Sequence, residues 1–363
     1  MKIYIITGEK SGDQHASQIV NELKKQYNNI QVRAWGGNAL ESYNVKIDKH
    51  IKEINFMGIW YVIKNAFQIL TNLRQCKQNI LDFSPDLILL VDYPGFNLKI
   101  AEFASKNNFK IFYYISPKIW AWKSSRIKKI KKYIDKMFVI FPFEKKYYSD
   151  RDVSVNYFGN PVFEYISNNK FNQIYSDKPI ISLLPGSRKQ EIERILPIML
   201  EATKFFPDYN FIISATNTFS VDYYQEYTKG YSVDILFDKQ YDLLYSSKAS
   251  IVTSGTSTLE AALMNIPQIV CYKTSVFSYL FAKLLVKTKY ISLVNILLGK
   301  NAVVELIQNK LTPTNIKENL EQILNVNTRS EMLTNYEELK NILQKNKSVS
   351  KEIAREILQI NYS

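Results

Sequence analysis

The 363 residues include 46% hydrophobic side chains but no apolar run near the roughly 18 to 20 residues of a spanning helix, so the chain reads as globular with material for two cores. Two distant cysteines, Cys76 and Cys271, argue against a disulfide framework, and with only His15 and His50 a nitrogen- or sulfur-ligated metal site has little to work with. The net charge of +13 is concentrated in one half: residues 1–168 hold 25 Lys and Arg against 15 Asp and Glu, whereas 169–363 hold 22 against 19.

The N-terminus, MKIYIITGEKSGD, has neither the apolar block nor the cleavage site of a signal peptide, and a cytoplasmic protein is expected. KIYIIT (2–7) reads as a strand closed by the small-residue loop GEKSGD (8–13), and QVRAW (31–35) as a second strand. In INFMGIWYVIKNAFQILTNLRQ (54–75), Ile59, Val62, Ile63, Ala66, Phe67, Leu70 and Leu73 keep helical spacing, a stripe expected to face the core. Phe56, Met57, Trp60 and Ile69 widen it beyond one core contact, and a surplus apolar patch beside a basic surface is what an interfacially bound enzyme shows.

Next comes DLILLVD (86–92), where the apolar run Leu87 to Val91 ends on Asp92 and Tyr93-Pro94-Gly95 breaks the chain. In open parallel sheets ligands bind beyond the carboxyl ends of the strands, so a carboxylate here emerges at the ligand edge. The competing reading is a cap for the helix that starts near Phe96. KIFYYIS (110–116) and KMFVIF (136–141) continue the sheet, and KIWAWKSSRIKKIKKYIDK (118–136) between them holds eight basic residues and one acidic. Such a segment fits an anionic partner, whether nucleic acid, phosphorylated substrate or membrane surface, or else a solvated helix face.

SNNKFNQIYSDK (167–178) is polar and aperiodic, which places a linker there and divides the chain into domains 1–168 and 169–363. The rhythm then repeats with PIISLL (179–184), NFIISA (210–215), SVDILF (232–237), ASIVTS (249–254) and PQIVCY (267–272), so two doubly wound α/β units in tandem are expected. After about residue 300 the strands stop, and TPTNIKENLEQILNV and the Lys/Glu-rich tail read as closing helices. PGSRKQE (185–191) and SGTSTLE (254–260) open helices with free N–H groups and a dipole suited to phosphate or diphosphate. Neither is a Walker sequence or GxGxxG, and small residues at such junctions also serve turn geometry alone. Arg188 suits a diphosphate, and Glu260 suits ribose hydroxyls.

Taken together, GEKSGD, WGG (35–37), FMG (56–58), DYPGFN (92–97), YYISPKIWAWK (113–123), FPFEKKYY (141–148), FGNP (158–161), LLPGSRKQEI (183–192), SGTSTLEAAL (254–263) and LVKTKYISLVN (285–295) resemble the lipid-A-disaccharide synthase family from Met1 to about residue 325. The resemblance implies a GT-B-type fold, two Rossmann-like domains facing across a cleft, with the acceptor and membrane surface on 1–168 and the donor on 169–363. It also implies inverting transfer of 2,3-diacylglucosamine from UDP-2,3-diacylglucosamine to 2,3-diacylglucosamine 1-phosphate. The products are UDP and a β-1,6-linked disaccharide 1-phosphate on the path to lipopolysaccharide, made without cofactor or metal at the inner face of the inner membrane.

On that resemblance Asp92 is the candidate base. Gly186, Ser187, Arg188, Ser254, Gly255, Thr256, Glu260 and Asn295 are the donor-binding candidates, and Glu9, Ser11, Gly12, Asp13 and Asn97 the acceptor candidates. Lys123, Arg126, Lys128, Lys129, Lys131 and Lys132 are assigned to an anionic membrane face. Asn160 stands where many relatives have His, which excludes a histidine base there. Two other readings remain. One is a UDP-sugar enzyme of the same architecture, such as a UDP-N-acetylglucosamine epimerase or a transferase with a different lipid acceptor. The other is a nucleic-acid binder that uses Trp120, Trp122 and Tyr133 for stacking.

Overall fold

Strands whose residues are buried on both faces are largely apolar, and the runs LILLV and IISLL are buried at every position in the computed structural model of the chain, the one hydroxyl, Ser182, donating to Ser250 Oγ at 2.9 Å. The structure describes residues 1–27, 29–54, 66–120, 124–276, 279, 288–345 and 348–362. It contains two units, Met1–Pro161 with Lys345–Ser363, and Val162–Gln344.

In the first unit β1 (Lys2–Ile6), β2 (Gln31–Gly36), β3 (Lys46–His50), β4 (Leu87–Val91), β5 (Lys110–Tyr114), β6 (Lys136–Val139) and β7 (Asn156–Tyr157) form a parallel sheet in the order 3-2-1-4-5-6-7. Alternate residues sort onto its two faces. Tyr4, Ile6, Ile88, Leu90, Ile111 and Tyr113 pack with Leu73, Cys76, Ile80 and Phe83 of the helix Ala66–Phe83. Ile3, Ile5, Leu87, Leu89 and Val91 pack with Ile19, Val20 and Leu23 of the helix Lys10–Gln26.

The second unit repeats the plan with β8 (Ile180–Leu184), β9 (Asn210–Ala215), β10 (Val233–Phe237), β11 (Ser247–Thr253), β12 (Gln268–Tyr272) and β13 (Val304–Ile307), ordered 10-9-8-11-12-13. In each sheet the chain winds one way from the first strand and then the other, so β1/β4 and β8/β11 are the switch points where a crevice opens beyond the strand ends.

Three features differ from the sequence division. The first unit ends at Pro161, and the helix Val349–Leu358 belongs with it: Val349, Ile353, Ala354 and Ile357 join the core under the helix Lys10–Gln26. The tail therefore does not close the second unit, which keeps the helices Pro313–Leu324 and Val326–Leu343. Strands do not stop at residue 300, because Val304–Ile307 pairs with β12. Finally, the core stripe assigned to 54–75 does not hold for Phe67 and Leu70, which are 81% and 53% exposed, while Ile69 and Leu73 turn inward. The part of that stripe at 55–65 lies outside the described residues.

Candidate active site

Beyond β1 the chain turns through Thr7-Gly8-Glu9 into the helix Lys10–Gln26. A Cβ on Gly8 would lie 2.3 Å from the Tyr93 ring, so glycine lets the two loops of the switch point touch. Glu9 is partly buried, and its charge adds to burial in pushing the Tyr93 hydroxyl up to about 12. Ser11 is exposed and Gly12 is buried beneath Val91. Asp13, an acceptor candidate, is almost fully buried. Its carboxylate is buried and accepts the N–H groups of Gly37 (2.6 Å) and Ala39 (2.9 Å), tying down the Trp35-Gly36-Gly37 loop. Burial raises its pKa and these hydrogen bonds lower it.

Beyond β4, Asp92 (φ 47°) and Tyr93 (φ 48°) are both left-handed, and Pro94 starts the helix Pro94–Lys106. The turn lifts the partly buried Asp92 side chain out of the strand's alternation. The Asp92 N–H still donates to the Tyr114 carbonyl at 3.0 Å, and Tyr93 stacks on Phe96, which stacks on Trp35. Asn97, expected at the ligand surface, is fully buried instead. Its amide donates to the carbonyls of Ile6 (3.4 Å), Val91 (3.3 Å) and Asp92 (2.8 Å) and so binds the ends of β1 and β4 together.

Beyond β5, Ile115 is left-handed at φ 61°, and the following loop is pinned by Glu144. This buried carboxylate accepts from Ser116 Oγ (2.6 Å), Trp120 Nε1 (3.2 Å) and the N–H groups of Ile140 (3.1 Å) and Phe141 (3.0 Å). Burial raises its pKa, and the same four donors pull it back. Sequence reading did not single out Glu144, although it lies within the FPFEKKYY motif.

The basic segment divides into two kinds of residue. Lys128, Lys129, Lys131 and Lys132 are exposed on the helix Ile127–Tyr133, with Lys129 paired to Glu102 and Lys131 to Asp152. Arg126 is partly buried, unlike the four lysines, and burial lowers its pKa, with Tyr113 acting in the other direction. Lys123 lies outside the described residues.

In the second unit, β8 ends at Pro185-Gly186-Ser187-Arg188 before the helix Lys189–Thr203. Gly186 has φ +100°, and a Cβ there would meet Glu191 Oε2 at 2.4 Å, so both backbone and space demand glycine. Ser187 and Arg188 are exposed; Arg188 donates to Glu191 at 3.1 Å, and no side chain caps the helix start. Beyond β11, Gly255 is exposed and Thr256 opens the helix Thr256–Leu263, also without a side-chain cap. Thr258 N–H donates to the Gly255 carbonyl at 3.3 Å, and a helix start without a side-chain cap suits an anion. Ser254 Oγ donates to the Ile291 carbonyl at 2.9 Å.

Glu260 is buried and already accepts from Tyr241 (3.0 Å) and Gln240; burial raises its pKa against these donors. A ribose hydroxyl bound to Glu260, as the resemblance implies, would have to join or replace them. Asn295, assigned to the donor, is fully buried as well. Its Oδ1 accepts the N–H groups of Ala302 (2.8 Å) and Val303 (2.9 Å), and its amide donates to the Val303 carbonyl and Glu305 (both 2.9 Å). Glu305 also accepts from the N–H groups of Ile291 and Ser292, so Asn295 and Glu305 build the loop that Ser254 touches.

Two doubly wound parallel sheets in tandem, each with helix-opening loops beyond its switch point, are the layout of the GT-B-type proteins. Solved structures share this fold. The UDP-GlcNAc 2-epimerase from Neisseria meningitidis bound to UDP-GlcNAc matches with TM-score 0.65 and 16% identity over 99% of this chain and 100% of that one. CalG4, the calicheamicin glycosyltransferase, matches with TM-score 0.61 and 12% identity over 99% and 98%. At these identities they show the fold alone.

Sequence separates transferase from epimerase. The lipid-A-disaccharide synthetase (LpxB) family model matches residues 3–360. Lipid-A-disaccharide synthase 1 of Legionella pneumophila (strain Paris) is 37% identical over 85% of this chain and 84% of its own length, and the synthase of Syntrophus aciditrophicus (strain SB) is 34% identical over 89% and 88%. The chain belongs to the lipid-A-disaccharide synthetase family. It is a glycosyltransferase.

Proposed function

We propose that the chain transfers 2,3-diacylglucosamine from UDP-2,3-diacylglucosamine to 2,3-diacylglucosamine 1-phosphate with inversion. The observation that carries this reading is Asp92, held by two successive left-handed residues at the switch point of the first sheet. The Asp92 carboxylate takes the proton from the acceptor's 6-hydroxyl as that oxygen attacks the anomeric carbon. The new O–C bond forms on the face opposite the breaking C–O bond to UDP, whose electron pair leaves with the diphosphate. Arg188, the Gly186–Arg188 loop and the N-termini at Lys189 and Thr256 stabilise that departing charge without a metal.

Family membership, the uncapped helix starts of the second unit and the carboxylate at the switch point of the first unit's sheet support this division of labour. Exposed Phe67 and Leu70, and the lysines of Ile127–Tyr133, support a role on an anionic membrane surface, where the acylated substrates reside. Among the described residues no helix is long and apolar enough to cross a membrane. The test is incubation with the two substrates in the presence of EDTA, followed by mass analysis. A disaccharide 1-phosphate and UDP are expected from the wild type, with turnover largely lost in Asp92→Asn while UDP binding is kept. Absence of that product, or a chelator-sensitive rate restored by Mg²⁺, refutes the reading.

A further inference from the structure

The Asp92 turn is costly to hold. L-residues in the left-handed region are disfavoured by contacts of their Cβ, and Tyr93 also precedes a proline, whose ring crowds helical conformations of the residue before it. The peptide between Asp92 and Tyr93 therefore needs neighbours that define its orientation.

Two buried donors converge on its carbonyl oxygen. Tyr113 Oη lies at 2.5 Å and Asn97 Nδ2 at 2.8 Å. Both residues are fully buried, and they come from separate elements, β5 and the helix Pro94–Lys106. Burial and the charge of Asp92 raise the Tyr113 pKa, so its hydroxyl remains a donor at every working pH. Asn97 carries one further sign of constraint: its Oδ1 is buried and unpartnered, so the side chain is oriented by what its amide binds.

We propose that Tyr113 and Asn97 are positioning residues which clamp the Asp92 carbonyl and thereby aim the Asp92 carboxylate at the acceptor hydroxyl. This rests on the reading of Asp92 as the base. Neither side chain needs to touch substrate. Their effect passes through the one peptide they share, and a displacement of about 1 Å at the base is enough to lower a rate by as much as 10²-fold.

Tyr113→Phe keeps the ring in the core and removes only the O–H. The expected result is a kcat lowered about 10- to 100-fold, a donor KM and UDP affinity within about twofold of wild type, and a displaced acid limb in the pH–rate profile. Asp92→Asn is measured beside it. A normal kcat in Tyr113→Phe with an inactive Asp92→Asn overturns the clamp and leaves the base standing. A lowered kcat with an unmoved acid limb assigns Tyr113 to packing and also overturns the clamp. An active Asp92→Asn removes the base, and the clamp with it. If Tyr113→Phe does not fold, Asn97→Ser deletes the second donor to the same carbonyl and is judged by the same kcat and acid limb.

Discussion

Replacing Arg188 tests the donor half of the site, and the structure sets the expected size of the effect. Arg188 Nη1 donates to Glu191 Oε1 at 3.1 Å, with the two side chains 53% and 24% exposed. An exposed pair of this spacing contributes about 0.3–0.5 kcal/mol. A diphosphate offers the guanidinium fork a stronger partner, with a charge-assisted hydrogen bond of about 1.5–3 kcal/mol. The difference, about 1–2.5 kcal/mol, corresponds to UDP binding weakened by about 5- to 70-fold in Arg188→Ala. Arg188→Lys should recover part of this, because it keeps the charge and loses the fork. Glu191→Gln frees Arg188 from its competitor and should tighten UDP by about twofold. Calorimetric titration with UDP and single-turnover rates measure all three variants. An Ala variant that binds UDP and turns over like wild type refutes the assignment.

Burial drives the His15 pKa down to about 4, while the unfolded chain binds its proton near 6.5. Its contribution is fully present above pH 6.5 and is lost as pH falls toward 4, by up to about 3 kcal/mol. Urea unfolding at pH 7 and pH 4.5 should show that loss in wild type and a smaller one in His15→Gln, and equal losses would refute it. Asn295→Ala leaves the buried N–H groups of Ala302 and Val303 without their acceptor, which should destabilise the protein by about 2–4 kcal/mol in denaturant unfolding; an unchanged midpoint would return Asn295 to the ligand surface. Changing Lys128, Lys129, Lys131 and Lys132 to Gln should reduce sedimentation with anionic vesicles, each free lysine contributing about 1 kcal/mol and the ion-paired Lys129 and Lys131 less. Equal vesicle binding by mutant and wild type would make this an ordinary solvated face.

The strands that sequence reading finds are those that burial forces to be apolar. KIYII, LILLV and IISLL sit in the middle of their sheets, and covering both faces leaves no room for alternation. The strands it misses, KIDKH, NY and VELI, are sheet edges, where polar residues and short length are the rule. The tail helix illustrates a different limit. Val349, Ile353, Ala354 and Ile357 mark an apolar stripe, but a stripe does not name the surface it will cover, and here that surface is more than 300 residues earlier in the chain. Asp92 stands out in the sequence because a carboxylate ends a buried run. Asp13, Asn97 and Asn295 also stood in the right loops, but a polar residue beside a ligand and one bound to backbone N–H and C=O groups look alike in sequence.

That second group explains how the loops can present so little and still be specific. A loop leaving a parallel strand exposes backbone polar groups that no ladder satisfies, and each must find a partner if it is buried. Asp13 satisfies those after β2, Asn97 those after β1 and β4, Glu144 those after β6, and Asn295 with Glu305 those before β13. Each is a buried side chain or half-buried carboxylate bonded to main chain, so removing it leaves unmatched groups rather than a softer loop. With the geometry fixed this way, the groups to which the proposed function gives chemistry are the Asp92 carboxylate, exposed Ser187 and Arg188, and the N–H groups at Lys189 and Thr256. Those are an acceptor for one proton and a set of donors for one diphosphate. On the proposed inverting displacement both are needed, and the expected activity profile is one in which Asp92 variants lose rate while Arg188 variants lose UDP affinity.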